Sequence, residues 1–261
     1  MYLSCLLIDV GDNPDHPRPG RLWLRNLYHV HQRLCMAFPS EQRIGKDPQF
    51  LEPWDPADFP EQRHLADRPT REVGPDVLRQ VHSQRDRCRG FLFRIDPQPC
   101  GRAVILVQSG LKPDWGYAFQ NASYLLAAPP EAKSFDPCFG EGECFRFRLV
   151  ANPTRKIDTK SGPDRCRRNG RRVPVPTDQL YEWLALRAEA AGFSVDKDSI
   201  TIQPGYIYVS NPRNGNGQRL RSAQYDGTLR ITNAPCFQET VVRGIGSAKA
   251  FGFGLLSLAR V

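Results

Sequence analysis

Several common marks of ligand and membrane chemistry are missing from this sequence. Its eight cysteines form no CxxC pair, and none has a histidine at zinc-finger spacing, which excludes the familiar structural zinc modules. Scattered reduced thiols are expected instead, with Cys5 and Cys35 in apolar contexts typical of buried cysteine. No apolar run approaches the roughly 20 residues that a bilayer-spanning helix needs, so no membrane partner is expected. No signal peptide is visible, and the expected compartment is the reducing cytoplasm. Neither GxxxxGK[ST] nor GxGxxG occurs, so the usual nucleotide-phosphate loops are absent, and no cofactor or metal ion is expected.

Acidic residues are in deficit. Lys and Arg total 36 against 28 Asp and Glu, a net charge of +8, which suits a polyanionic partner without demanding one. The excess is concentrated, since the stretch from Arg155 to Arg172 holds eight basic residues and two acidic ones. Gly170 is placed for a hairpin tip there. A charge run is usually a solvated face, but Arg165, Arg167, Arg168, Arg171 and Arg172 repel one another unless a polyanion is near. Nucleic-acid contact is therefore the favoured reading of that segment.

The first elements alternate in type. Tyr2 to Val10 is a short apolar run before a turn signal and reads as a buried strand. A helix is expected from Asn26 to Phe38, opened by a capping Asn and stopped by Pro39, with Leu27, Val30, Leu34 and Ala37 as its core stripe. Beside that stripe run Tyr28, His31, Cys35 and Phe38, while His29 points elsewhere and is expected to be solvated. By itself a Tyr and a His one turn apart are more often a packed aromatic pair than a catalytic one.

Residues 39–87 are polar and dotted with prolines, an excursion whose only expected helix runs from about 75 to 85 and whose His64 and His82 are expected at the surface. Residues 90–95 and 103–109 read as a hairpin, and 145–151 alternates as a strand with Arg146 and Arg148 on one wet face. With a weak helical region between, the order is that of a βαββαβ, ferredoxin-like unit. It is expected to span 1–152 and to carry the Tyr/His helix and the proline-rich insertion. The remainder, 153–261, holds the basic hairpin, a helix capped by Thr177 and ending before Gly192, strands within 199–210 and 218–232, a short helix at 234–241 and a last strand at 253–258.

That last strand follows VRGIGSAKAFGFG, where Gly244, Gly246, Gly252 and Gly254 surround Lys249. Successive free amides in such a turn form a concavity that attracts phosphate oxygens, and the lysine adds a point charge. The alternative is a glycine-rich turn that only launches a buried strand.

The stretch GIGSAKAFGFGLLSLA resembles the C-terminal glycine-rich loop of the CasE family of CRISPR RNA-processing endoribonucleases, within the RAMP superfamily. Three further stretches match in order: Y-x-x-H at Tyr28 and His31, VQ...PDW from Val107 to Trp115, and NPTRK from Asn152 to Lys156. One position departs, since relatives often carry a basic residue after the histidine and this chain has Gln32, with the charge at Arg33. Trp115 is read as a structural anchor, the alternative being a ring that stacks on a base.

The resemblance implies an α+β fold of two tandem ferredoxin-like domains; the duplication itself is implied mainly by it. It implies a metal-independent endoribonuclease that binds the CRISPR repeat hairpin and cuts at the base of the stem by 2′-OH attack, leaving a 2′,3′-cyclic phosphate. The product then stays bound among the other Cascade subunits. His31 would transfer a proton and Tyr28 would lie at the cleaved phosphate. RNA contacts are expected from Arg33, Arg146, Arg148, Arg155, Lys156, Arg165, Arg167, Arg168, Arg171, Arg172, Gly244, Gly246, Lys249 and Gly252. Two alternatives stay open: a non-catalytic RNA-binding subunit of a CRISPR effector complex, and an unrelated enzyme acting on a phosphorylated small molecule.

Overall fold

A computed structural model describes residues 1–13, 15–38, 90–157, 171–210 and 217–261. The expected 39–87 excursion with its helix, His64 and His82, as well as Arg165, Arg167, Arg168 and Gly170, lie outside the described residues. The chain divides into two units, Met1–Asp136 and Pro137–Val261.

In the first unit, strand β1 (Tyr2–Asp9) leads into helix α1 (Pro19–Arg25) and helix α2 (Leu27–Met36). Pro19 occupies the first turn of α1, where a missing N–H costs nothing. Gly20 of α1 is pressed against the carbonyl of Asp9, so that any Cβ would collide with β1. Asn26 caps α2, its Oδ1 accepting from the Tyr28 amide at 3.1 Å.

Strands β2 (Phe91–Gln98) and β3 (Arg102–Ser109) form the expected hairpin, helix α3 (Trp115–Phe119) follows, and β4 (Glu131–Ser134) completes the sheet. Strand order is β2-β3-β1-β4, with every neighbouring pair antiparallel. That is the ferredoxin-like order. The core joins Leu6 and Ile8 of β1 to Val30 and Leu34 of α2 and to Phe93, Ile105 and Val107 of the hairpin.

One element of this unit is unexpected and two expectations change. Helix α1 is hidden in the sequence by the prolines around it. Cys5 is exposed rather than buried, because along β1 Ser4, Leu6 and Ile8 face inward and Cys5 takes the opposite face. The boundary moves from 152 to 136, because β4 (EAKS) is exposed at every position and shows no alternation to read. In its absence the next apolar strand fills its place.

That next strand, β5 (Cys144–Ala151), instead opens the second unit, where it pairs with β10 (Gly217–Ile231) and β11 (Leu256–Arg260). Between β5 and the first helix lies the basic hairpin, β6 (Thr154–Ile157) with β7 (Arg171–Pro174). Then come a 3₁₀ turn at Thr177–Gln179, helix α4 (Leu180–Ala190), β8 (Phe193–Val195), β9 (Thr201–Ser210) and helix α5 (Ala234–Arg243). Strand order is β11-β5-β10-β8, with β9 also paired to β10. The ferredoxin-like order recurs, with the basic hairpin as an insertion after its first strand. Phe147, Leu149, Leu184, Phe193, Ala223, Tyr225, Phe237 and Phe253 fill the core.

Candidate functional site

Helix α2 presents two faces, as its periodicity requires. Leu27, Val30, Leu34 and Ala37 are buried, while Tyr28, His31, Cys35 and Phe38 form a half-buried flank. The His31 ring lies over β2, stacked on Phe91 with centroids 5.5 Å apart and on Phe93 at 6.4 Å. One turn on, the Cys35 Sγ stands 3.6 Å from His31 Nε2. An aromatic wall therefore sets the imidazole's plane. Tyr28 is fixed through its capped backbone, and its ring lies 6.3 Å from that of His29. His29 is half-buried rather than solvated, and burial pushes its pKa down.

Two neighbours of this flank do structural work. Arg33 turns its guanidinium inward, where Nη1 donates to the Ala118 carbonyl at 3.0 Å and to Asn121 Oδ1 at 2.6 Å. It ties α2 to α3, and burial lowers its pKa, which is a correction to its expected place against RNA. Trp115 is buried against Phe38 and Phe119, so it is the anchor and not an exposed stacking ring.

In the second unit the glycine-rich loop is held at its neck. The Ile245 amide donates to the Gly254 carbonyl at 2.9 Å, and the Gly254 amide donates to the Val150 carbonyl at 2.8 Å. Gly244 donates to the Thr240 carbonyl and so closes α5, and Gly252 donates to the Lys249 carbonyl. The Lys249 ammonium donates to the Arg243 carbonyl at 2.6 Å, capping the same helix. Burial, and then the charge of Arg243, lowers the Lys249 pKa. The Gly244 and Gly252 amides are thus spent inside the protein, which revises the contacts expected from those two glycines, while the Lys249 ammonium gives one of its three donors to the helix end. Gly246, at φ +85°, is the exception. Among the described residues nothing accepts from its amide.

Around Gly246 opens a cavity of about 180 Å³, lined by Asn152, Thr154, Arg172, Trp183, Arg187, Gly244, Ser247 and Lys249. Hydroxyls and guanidinia crowd its wall. Arg172 Nη1 donates to Thr154 Oγ1 at 3.4 Å, Thr154 Oγ1 lies 3.4 Å from Ser247 Oγ, and the Arg187 guanidinium stands 5.8 Å from the Trp183 ring centroid. With donors from side chains and one open amide, this wall suits a phosphate group. Arg187 and Ser247 were not anticipated. Arg187 is one exposed arginine on a helix, a position that sequence alone does not distinguish from any solvated face.

Other expected contacts lie on the basic hairpin and on β5. Arg155, Lys156 and Arg172 are exposed on the basic hairpin, and Arg155 Nη1 donates to Gln179 Oε1 at 3.1 Å. Arg171 sits in β7, paired with Ile157. Arg146 and Arg148 share the exposed face of β5, where Arg148 Nε donates to Asp226 Oδ1 of β10 at 2.6 Å. A second cluster went unread in the sequence: Tyr206 and Tyr208 on β9 stand exposed beside Arg219 on β10. Among the described residues no helix is long and apolar enough to cross a membrane.

The family model described as "CRISPR associated protein" matches residues 76–260. The CRISPR-associated endoribonuclease Cse3 of Thermus thermophilus is 28% identical over 200 residues, covering 72% of this chain and 87% of that protein. The CRISPR system Cascade subunit CasE of Escherichia coli is 26% identical over 271 residues, covering 99% of each chain. The solved structure of Cse3 bound to a 19-nucleotide RNA shares the fold with a TM-score of 0.67 and 24% identity, over 99% of this chain and 100% of that one.

Proposed function

Because this chain belongs to the family of CRISPR-associated proteins, we propose that it is a metal-independent endoribonuclease that processes CRISPR transcripts in the cytoplasm. It binds the repeat hairpin, cuts once at the base of the stem, and remains on the product within a Cascade complex. The carrying observation is the polar cavity at the root of the basic hairpin, where Arg172, Arg187, Ser247 and the Gly246 amide converge on a space fit for a phosphodiester.

The chemistry follows from RNA. A ribose 2′-OH beside the scissile phosphate is a built-in nucleophile, so the protein must align it in line, move protons and stabilise charge. His31 transfers the proton, since imidazole titrates near neutrality. Its stacking on Phe91 and Phe93 fixes the plane of the ring, which serves a proton-transfer group. Tyr28, one turn before it on the same flank, orients the phosphate or the 2′-OH. Arg155, Lys156 and the arginines of the basic hairpin grip the stem through its phosphates, because the deep, narrow major groove of A-form RNA hides its base edges.

The same stacking favours a second reading, in which Tyr28 and His31 only pack and the protein is a non-catalytic RNA-binding subunit. One assay separates the two: labelled repeat RNA incubated with the protein in EDTA. A single cut leaving a cyclic phosphate is expected. A shifted but uncut band would establish the scaffold, and RNA that is neither cut nor shifted would sink both.

A further inference from the structure

The hairpin of β9 and β10 carries a ladder of two tyrosines and two arginines. Residues alternate across a strand, so Tyr206 and Tyr208 project from one face of β9, and register sets them opposite Arg221 and Arg219 of β10. The Arg219 guanidinium stands 3.6 Å from the Tyr206 ring centroid and 5.9 Å from that of Tyr208. Arg221 is buried and works as the base of the ladder: Nη1 donates to the Tyr206 hydroxyl at 2.8 Å and Nη2 to Thr177 Oγ1 at 2.7 Å. Tyr206 is 46% exposed and Tyr208 66%. The Tyr206 ring is braced by both guanidinia, and the Tyr208 ring beside it is the more open of the two.

We propose that this ladder is a stacking platform for single-stranded RNA, namely the strand that leaves the gripped hairpin. The inference rests on the function proposed above. Three observations select that occupant. First, the paired strands from Thr201 to Ser210 and from Gly217 to Tyr225 have no Asp or Glu, and Arg219 and Arg221 stand against the rings, so the face suits a polyanion. Second, the two tyrosines are two residues apart on a strand, a separation of roughly 7 Å. That is about twice the ~3.4 Å repeat of phosphates along one strand of a helical stack, so the rings match an extended, unstacked strand and not a duplex. Rings and guanidinium planes stack on bases whatever the sequence. Third, the ladder is continuous with the basic hairpin: the short turn Thr177–Gln179 is held by Arg221 on one side and by Arg155 on the other.

The test compares two RNAs made from the chain's cognate repeat, each with a 2′-deoxy sugar at the cut site: the bare hairpin, and the hairpin with single-stranded tails at both ends. Affinities are measured by fluorescence anisotropy for wild type, Tyr208→Ala, Tyr206→Ala/Tyr208→Ala and Tyr208→Trp. Wild type is expected to bind the tailed RNA more tightly. Tyr208→Ala should weaken that binding at least about fivefold, the lower end of what one base–ring stack is worth. The double variant should lose more, Tyr208→Trp should retain it, and affinity for the bare hairpin should stay within about twofold for every variant. Tails that add no affinity to wild type, or a Tyr208→Ala protein that keeps it, would overturn the proposal. So would an equal loss on both RNAs. A variant that binds tailed RNA normally but no longer joins other Cascade subunits would make the ladder a protein contact instead. Cleavage of an unmodified hairpin by wild type distinguishes these failures from a failure of the proposed function.

Discussion

The α2 flank and the glycine-loop cavity place their polar groups in opposite settings. His31 rests on two phenylalanine rings, with a thiol as a further neighbour, whereas the cavity is walled by arginines, hydroxyls and backbone donors. An apolar wall fixes one titratable group and leaves its proton chemistry to decide what it does. A cationic wall is suited to holding an anion. On the function proposed above, reaction falls to the first unit and grip to the second, and mutations should separate rate from affinity along that division.

The largest effect is expected at His31. His31→Ala should slow single-turnover cleavage by about 10²–10⁴-fold, the usual contribution of a positioned acid or base, with affinity for the hairpin nearly unchanged. A rate within about threefold of wild type would erase the contrast and make the ring a packing element of β2. Phe91→Leu sharpens the point, because it keeps an apolar wall but removes a stacked ring. A reduced rate at unchanged affinity is the expected outcome.

Next in size is the basic hairpin. Replacing Arg165, Arg167, Arg168, Arg171 and Arg172 together by alanine should weaken RNA binding and flatten its salt dependence. Every phosphate that the protein no longer neutralises lowers the slope of log K against log [salt] by roughly 0.7–0.9. Melting temperature should not fall, since thinning a run of like charges relieves their mutual repulsion. An unchanged slope would return the segment to an ordinary solvated face.

Much of this division is legible in the sequence alone. The periodicity of α2 separates Val30 and Leu34 from Tyr28 and His31, and the burial of each agrees. Features without a pattern of their own escape such a reading. Strand β4 has four exposed residues, so the expected domain boundary slides to the next apolar strand. The Gly244 and Gly252 amides close the fold instead of facing a ligand, and the sequence hides this because a glycine-rich loop looks the same in either case. Only three-dimensional hydrogen bonding decides. The ladder is hidden for another reason: Tyr-Ile-Tyr and Arg-Leu-Arg each look like plain strand alternation, and it takes the cross-strand register to join them.

Within the loop, smaller effects should divide the same way. Arg187 is exposed and lines the cavity, so Arg187→Gln should lower RNA affinity while leaving the melting temperature alone. Lys249→Ala should do the reverse, because it frees the Arg243 carbonyl at the end of α5, a loss of about 0.5–1.5 kcal/mol. Gly246→Val should destabilise through its backbone, since φ is +85° and a left-handed conformation costs an L-residue about 1–2 kcal/mol. Space is not the obstacle, as a Cβ there would meet Trp183 at an ordinary 3.5 Å. Thermal melts beside binding titrations check all three, and a Lys249→Ala protein of normal stability with impaired binding would restore that lysine to the RNA site.

The smallest effect isolates the second unit's core from its RNA surface. Tyr225 is fully buried, and its hydroxyl donates to the Leu180 carbonyl at 3.2 Å. Burial raises its pKa well above the ordinary 10.0, against a smaller opposing pull from Arg221. A raised folded-state pKa means that the native protein keeps a proton which the unfolded chain gives up. Its contribution to stability is therefore complete below about pH 10 and declines as pH rises past that value, by about 1.4 kcal/mol per pH unit at most. Tyr225→Phe removes the titrating group but retains the ring stacked against Trp183, with centroids 6.1 Å apart. The variant should begin less stable by about 1 kcal/mol for the lost hydrogen bond, and the gap should narrow between roughly pH 10 and 11 as wild type loses its advantage. Urea titrations of both proteins over that range measure the gap directly. A gap that stays constant with pH would show that the phenol ionises as readily inside the fold as outside it, and RNA affinity at neutral pH should be the same for both proteins.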